Sequence, residues 1–327
     1  MTRKTILLVF GGQSSEQDVS IMSARNVYGA MDEEKYDVEL CYIDRRGKWW
    51  LLDDWSEELD YHGGVQLVAV PGAKSFMTVP GSRILTIDIL FPVLHGKNGE
   101  DGSIQGLTTM LHIPIVGCQI EASSLCMDKN GLKQILAYND VPVSPWMMVR
   151  NGEIPTGDNL KHELGNGPWF VKPARAGSSV GVTKVSNYGG LAEAVKLASE
   201  QDNEVLIETA ITGRELEIAV LGNPPNHRAS VIGEILTGAD FYDYNDKYAS
   251  TSASRTIISP DIDENSMVRL RELALKAYQL AGCRGLSRVD FFLTDSGEIY
   301  LNEINTMPGF TNISMYPKLW QADGLKY

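Results

Sequence analysis

Arg288 and Asp290 stand two residues apart, and so do Glu303 and Asn305, in the segment LSRVDFFL-TDSG-EIYLNEIN. In a strand, residues i and i+2 share a face, so a hairpin here gathers an arginine, two carboxylates and an amide on one surface. With Thr294–Gly297 as a four-residue loop, Asp290 and Glu303 become diagonal neighbours, about 7–8 Å apart at Cα and within reach of a shared ion. Val289, Phe291, Leu293, Tyr300 and Ile304 then point into a core. Two carboxylates and an amide oxygen suit Mg²⁺, a hard cation that keeps waters and binds substrate phosphates. A solvated, salt-bridged strand face has the same spacing.

Five further segments carry chemistry of their own. In VKPARAGSSVGV (171–182), Lys172 ends a strand, and Gly177, Ser178, Ser179 and Gly181 form a small-residue loop. Such a loop turns backbone N–H groups toward a phosphate. The lysine precedes the glycines and no GK[ST] follows, so this is not a Walker A sequence. It has the character of a lid over ATP phosphates, or of a plain hairpin turn. In FGGQSSEQDVS (10–20) a strand runs through Gly11-Gly12 into a helix, presenting backbone donors at the helix start. Glu16 there either grips a cationic amine or caps the helix. LHGKNGEDGSIQG (94–106) follows a buried strand, where loops line the ligand crevice of an open α/β sheet. His95 either donates to a substrate carboxylate or is structural. GADFYDYNDKYASTSASRT (238–256) reads as a functional lid, with Lys247 toward a γ-phosphate and Tyr248 beside it. In MPGFTNIS (307–314), Gly309 offers a backbone N–H and Ser314 a hydroxyl.

The elements that must position these residues follow from periodicity. In the N-terminal third, strand Ile6–Phe10, a helix over about 20–31, strand Asp37–Ile43, strand Ile84–Leu94, helix Ile104–Leu111 and a short Pro114–Val116 strand predict an open, mostly parallel sheet. Asp128 predicts a cap for helix Lys129–Tyr138. Strands over 169–172, 182–185 and 204–208 with a helix over 191–200 make a small α+β unit. Strands over 215–221 and 230–236 and a helix over 264–281 lead to the hairpin. No final helix is evident, so the C-terminus is expected to lie beyond Tyr327.

Composition bounds the rest. The 327 residues are 43% hydrophobic and 22% charged, a globular balance long enough for two or three domains. The 29 basic and 42 acidic residues give a net charge of -13, opposite in sign to that of most nucleic-acid binders. An anionic ligand therefore needs a locally basic or glycine-rich site. The four cysteines form no CxxC and the five histidines no HExxH, which argues against zinc and for a reduced, cytoplasmic setting. The absence of GxSxG argues against a serine hydrolase. The apolar run Ile6–Phe10 is too short for a signal sequence or a membrane span. Trp49, Trp50 and Trp55 read as packing residues.

Taken in order, FGGQSSEQDVS, FPVLHGKNGEDGSIQG, MDK (127–129), KPARAGSSVGV, FYDYNDKY, SRVDFF and LNEINTMPGF resemble the D-alanine–D-alanine ligases of the ATP-grasp superfamily. The resemblance covers nearly the whole chain. It implies an α/β (α+β) fold of three domains, with ATP held between two antiparallel sheets. These are an N-terminal parallel-sheet domain over 1–126, a central ATP-grasp lid subdomain over 127–211 and a C-terminal catalytic domain over 212–327. Carried over residue by residue, it implies that Lys129, Lys172 and Lys247 bind the ATP phosphates, under a lid containing Ser178 and Ser179. Glu208 contacts the adenine side and Glu215 the ribose. Asp290, Glu303 and Asn305 hold two Mg²⁺ ions, for which Mn²⁺ can substitute. Glu16, in a network with Ser178 and Tyr248, anchors the first substrate's ammonium, and His95 faces its carboxylate. Arg288 and the Gly309 amide stabilise an oxyanion, and Ser314 binds the second substrate's carboxylate.

The implied reaction makes D-alanyl-D-alanine for peptidoglycan precursors through an acyl phosphate, with no covalent enzyme nucleophile. The resemblance also implies a cytoplasmic homodimer joined through the N-terminal domain, with neither nucleic acid nor membrane as partner. Apolar Met315 after Ser314 favours D-alanine as second substrate over D-serine, and Tyr248 favours the dipeptide over a D-lactate depsipeptide. Ile313 departs from the usual His or Tyr, and the family usually closes with a helix after the point where this chain ends. The alternatives are a ligase of the vancomycin-resistance type, using D-serine or D-lactate, and a nucleotide-sensing module without turnover. The intact Arg288, Asp290, Glu303 and Asn305 set argues against the latter.

Overall fold

A computed structural model describes residues 3–55, 64–177, 179–236 and 255–327. Three sheets organise it. The first has seven strands in the order β6-β5-β4-β3-β2-β1-β7, with β1 Lys4–Gly11, β2 Tyr36–Ile43, β3 Trp49–Leu52, β4 Val65–Val70, β5 Ser75–Val79, β6 Ile84–Thr86 and β7 Ile89–Val93. Strand β1 is parallel to β2 and to β7, and it is buried from Ile6 to Gly11 because its apolar run is covered on both faces. From β2 outward the pairing is antiparallel. Only the β2-β1-β7 end of this sheet therefore has the expected parallel character. The expected strand Ile84–Leu94 is two strands on opposite edges of the sheet. They part at Asp88, whose carboxylate accepts from Thr5 N at 3.0 Å.

Helices α1 (Gln17–Ala30) and α2 (Ser103–Leu111) follow β1 and β7. Next come α3 (Ile120–Met127) and α4 (Lys129–Tyr138), and Asp128 caps α4 by accepting from Gly131 N at 3.0 Å. The second sheet is antiparallel in the order β10-β9-β11-β8, with β8 Trp146–Arg150, β9 Trp169–Pro173, β10 Thr183–Val185 and β11 Glu204–Thr209. Helices α5 (Gly157–Leu164) and α6 (Leu191–Ser199) close its core around Val171, Val195 and Ile207.

The third sheet is antiparallel in the order β14-β13-β12-β15-β16, with β12 Arg214–Leu221, β13 Arg228–Leu236, β14 Arg255–Ile258, β15 Leu286–Leu293 and β16 Ile299–Asn305. One face packs on α7 (Glu264–Leu280), capped by Asp263 accepting from Ser266 N at 3.0 Å, and also on α3 and α4. The segment 118–141 thus shares its core with this sheet, although the central sheet intervenes in sequence. The other face receives α8 (Met315–Ala322).

Helix α8 corrects the expectation of a tail without a final helix. Pro317 obscured it, yet a proline within the first turn gives up no intrahelical bond. Met315, Tyr316, Leu319 and Trp320 are buried on the sheet, and Gly324 ends the segment at φ +86. No described helix is long and apolar enough to cross a membrane.

The hairpin register also differs from expectation. Phe291, Phe292 and Leu293 pair with Leu301, Tyr300 and Ile299, whereas Arg288, Val289 and Asp290 pair with Asn305, Ile304 and Glu303. An irregularity between Asp290 and Phe291 leaves Asn302 as the extra residue, a β-bulge. Asp290 and Glu303 are therefore directly opposed rather than diagonal. Tyr300 lies opposite Phe292, off the core face, and Ile299 and Leu301 take the core positions beside Ile304.

Candidate active site

Residues opposed in a sheet share a face, so register alone builds a row of Gly233, Glu217, Asp290 and Glu303 across β13, β12, β15 and β16. The adjoining row is Ala219, Arg288 and Asn305. Arg288 donates from Nε to Asp290 Oδ1 at 2.8 Å and from Nη2 to Asp290 Oδ2 at 2.7 Å. Its Nε also lies 3.1 Å from Glu217 Oε2. Burial opposes its charge, but the carboxylates of Asp290, Glu217 and Glu303 outweigh burial and hold it firmly protonated. Asn305 Nδ2 donates to Asp290 Oδ2 at 2.9 Å, which turns its carbonyl oxygen away from that pair.

The donor chemistry of Asp290, Glu303 and Asn305 fits a hard divalent cation. Among the described residues no group of three or more His, Cys, Asp or Glu side chains converges as a ready-made metal cage. Two carboxylates and an amide suit an ion that takes the rest of its shell from water and phosphate oxygens, as Mg²⁺ does.

A second group lies on the central sheet. Glu208 is buried, with Oε2 2.9 Å from Lys172 Nζ, 3.5 Å from Lys133 Nζ and 3.1 Å from Ser144 Oγ. The two lysines overcome the effect of burial and keep its carboxyl below the usual range. Its Oε1 is buried with no partner among the described residues, an acceptor suited to a donor such as a purine amino group. Lys133 was not among the expected site residues. Its signal is the four-residue spacing from Lys129 on α4. Burial draws its ammonium down to about 8 against the attraction of Glu208. Lys129 donates to Ala176 O at 2.6 Å. Burial lowers its pKa, while Glu303 opposes burial and Lys172 adds to it, so this lysine links the two groups.

Glu215 is half-buried on β12 opposite Ile235 and Phe292, and Ser179 sits in the 177–182 turn at φ +57. Ser178, Lys247 and Tyr248 lie outside the described residues.

The third group surrounds a cavity of about 120 Å³ whose lining includes Glu16, His95, Glu100, Arg288, Glu303 and Asn305, together with Gly309, Ser314 and Met315. Eight of the expected site residues therefore meet at one space. Lys129, Lys172 and Glu208 do not line it.

Glu16 occupies the N-cap position of α1 but makes no side-chain cap bond, so the capping alternative is not realised. Its carboxylate lies between Gly96 and Gly177, where a Cβ would stand 3.3 Å and 3.8 Å from Oε2. His95 is buried, with Nδ1 3.0 Å from the Met307 carbonyl and Nε2 3.5 Å from Ser23 Oγ. A carbonyl only accepts, so Nδ1 carries the proton and Nε2 is an acceptor. Burial lowers the ring's pKa despite the nearby Glu16 carboxylate, which keeps it neutral. Both nitrogens are thus engaged by protein, and the ring braces the 307–310 segment instead of offering a free donor.

Glu100 was quoted within a motif but not singled out. It accepts from Gly96 N at 2.7 Å and from Met307 N at 3.2 Å, tying the loop after β7 to the loop after β16. Burial, reinforced by Glu16, raises its carboxyl to about 8. Helix α1 adds further ties, because Phe310 N donates to Ser23 Oγ at 3.1 Å and Asn26 Nδ2 donates to Phe310 O at 3.0 Å. A side chain at Gly309 would displace the Ser314 hydroxyl, since its Cβ would stand 2.7 Å from Ser314 Oγ. Ser314 Oγ accepts from Thr311 N at 3.0 Å, and this fixes its hydroxyl at the cavity rim.

Residues 5–118 match the family model described as D-ala D-ala ligase N-terminus, and residues 135–327 match that described as D-ala D-ala ligase C-terminus. The D-alanine–D-alanine ligase of Sodalis glossinidius is 43% identical over 339 residues, spanning 99% of this chain and 92% of that protein. Among solved structures, the VanG D-Ala:D-Ser ligase from Enterococcus faecalis is similar at a TM-score of 0.89 and 36% identity, over 99% of this chain and 96% of that one. The D-alanine-D-alanine ligase from Coxiella burnetii is similar at a TM-score of 0.88 and 34% identity, over 100% and 91%.

Proposed function

The chain belongs to the D-alanine–D-alanine ligase family, and from that premise we propose that it joins two D-alanines at the expense of ATP. One observation carries the reading. Arg288, Glu303 and Asn305 open on the same cavity as Glu16 and Ser314. An anion-activating site and an amino-acid site thereby share one space.

In the proposed reaction a carboxylate oxygen of the first D-alanine bonds to the γ-phosphorus of ATP, and the bond from that phosphorus to the ADP oxygen breaks. The unprotonated amine of the second D-alanine then attacks the acyl carbon. Phosphate leaves with its oxygen, and the amine gives up its remaining extra proton. Glu16 holds the first ammonium. Arg288 and the Gly309 N–H stabilise the oxyanion of the tetrahedral intermediate, and Ser314 holds the second carboxylate. Lys129 and Lys172 neutralise phosphate charge, and Glu208 Oε1 accepts from the adenine amino group. Glu215 serves the ribose, Ser178 and Ser179 the phosphate lid, Lys247 the γ-phosphate, and Tyr248 the Glu16 network. Asp290, Glu303 and Asn305 would hold two Mg²⁺ ions or Mn²⁺, which supply charge neutralisation at the phosphates when bound. The protein acts in the cytoplasm as a homodimer.

D-alanine is favoured as second substrate because apolar Met315 follows Ser314 in the cavity lining. The test supplies ATP, Mg²⁺ and D-alanine alone or with D-serine or D-lactate, and identifies products by mass spectrometry. D-alanyl-D-alanine should dominate. No dipeptide with any acceptor refutes the proposal, and a predominance of D-alanyl-D-serine moves it to the resistance-type branch.

A further inference from the structure

Gly233 belongs to no motif singled out in the sequence, yet it lies in the row of Glu217, Asp290 and Glu303. It faces α8. A Cβ at this position would stand 2.5 Å from Met315 Sδ, 2.9 Å from Met315 Cε and 2.9 Å from Leu319 Cδ2. Non-bonded carbon does not approach so closely, so the first turn of α8 rests on the sheet where residue 233 has no side chain.

The two crowded neighbours differ in where they can go. Leu319 is fully buried among Met307, Tyr316 and Trp320, where close packing leaves no room to retreat. Met315 is buried too, but it borders the cavity beside Ser314 and Ile235. Its unbranched thioether is the side chain best able to repack. A methyl group at residue 233 would therefore displace Met315 into the 120 Å³ cavity.

We propose that Gly233 is a positioning residue that sets the size of the second-amino-acid pocket by seating Met315 against the sheet. This rests on the ligase reading of the site. Gly233 itself touches no substrate, and its effect on the pocket passes through Met315, the crowded neighbour that borders the cavity.

The test is initial-rate kinetics that resolve KM for the first and the second D-alanine, on Gly233→Ala, Met315→Ala and the double variant. Gly233→Ala should raise KM for the second D-alanine about tenfold, the scale of one misplaced methylene. KM for ATP and for the first D-alanine should stay within about twofold, below the smallest such penalty. In the double variant, removal of the thioether should return the second KM to that of Met315→Ala. An unchanged second KM in Gly233→Ala, a parallel rise in all three constants, or a failure of Met315→Ala to rescue it each overturns the assignment. If Gly233→Ala does not fold, the double variant decides. A folded protein with the second KM of Met315→Ala supports the proposal, and an unfolded one or a raised second KM overturns it. A wild-type protein that makes no dipeptide refutes the ligase reading. A wild type that makes it beside an unaltered Gly233→Ala refutes only the role of Gly233.

Discussion

Replacing Glu208 with glutamine removes the carboxylate shared by Lys133 and Lys172 while keeping its shape. Lys133 Nζ is 3.5 Å and Lys172 Nζ 2.9 Å from the same oxygen. At an effective dielectric near 20 each contact is a gross attraction of about 5 kcal/mol. After desolvation, breaking a buried pair leaves a net loss of about 3–5 kcal/mol, the expected loss of stability in ligand-free protein near neutral pH.

The loss also depends on pH. Folded Lys133 releases its proton near pH 8, against 10.5 for an ordinary lysine. Between those values the unfolded chain holds the extra proton, so stability rises with pH by up to about 1.4 kcal/mol per pH unit. Below the folded value the whole penalty is present. Without Glu208, burial acts on Lys133 with less opposition and the release moves below 8. The variant thus carries a larger penalty than wild type near neutrality, and the excess vanishes once both have lost the proton. The cost of Glu208→Gln should shrink by about 1–2 kcal/mol between pH 6.5 and 9.5. Urea unfolding followed by circular dichroism at the two pH values measures this. A cost under about 1 kcal/mol at pH 6.5, no more than a surface substitution gives, or one that does not change with pH refutes the placement of Glu208.

Glu303→Gln keeps the side chain's size but removes one of the two carboxylates proposed to hold Mg²⁺, and ADP release should fall roughly 10²–10³-fold with the fold intact by circular dichroism. Ser23→Ala leaves the Phe310 N–H without its acceptor at 3.1 Å, a loss of about 1–3 kcal/mol that a urea titration resolves. Gly96→Ala adds a Cβ 3.3 Å from Glu16 Oε2 at φ +68, so the variant should lose about 1–2 kcal/mol of stability from backbone strain. It should also bind the first D-alanine more weakly than wild type, as initial rates would show. All four cysteines are buried, and burial raises the Cys41 thiol. A thiol reagent should therefore label native protein far more slowly than protein in urea.

The sequence made some of this legible and withheld the rest for physical reasons. Alternation in β15 and β16 was clear enough to put Arg288, Asp290, Glu303 and Asn305 on one face. The bulge at Asn302 was invisible because Asn is unremarkable in composition there, and only pairing reveals that one residue has no partner. Strands β3 to β6 are short and half-covered, so their apolar residues neither alternate cleanly nor run continuously. The same limit hid Lys133, Glu100 and Ser23. Each acts through a partner distant in sequence, with Glu208 on the central sheet 75 residues from Lys133, Met307 207 from Glu100 and Phe310 287 from Ser23. The readable residues were those whose chemistry shows in a short motif. The unreadable ones hold those motifs together.

The ties between α1 and the loop after β16 join residues from opposite ends of the chain, as in the pair Asn26 and Asn312, 286 positions apart. During synthesis the half of the site that holds Glu16 and His95 leaves the ribosome long before Gly309 and Ser314 exist. A growing chain can complete its central sheet, which ends at Thr209, while the cavity still lacks Arg288, Glu303 and Gly309. The cavity is therefore complete only when the chain is almost fully made, and a chain ending before residue 307 lacks the Gly309, Ser314 and Met315 part of its lining.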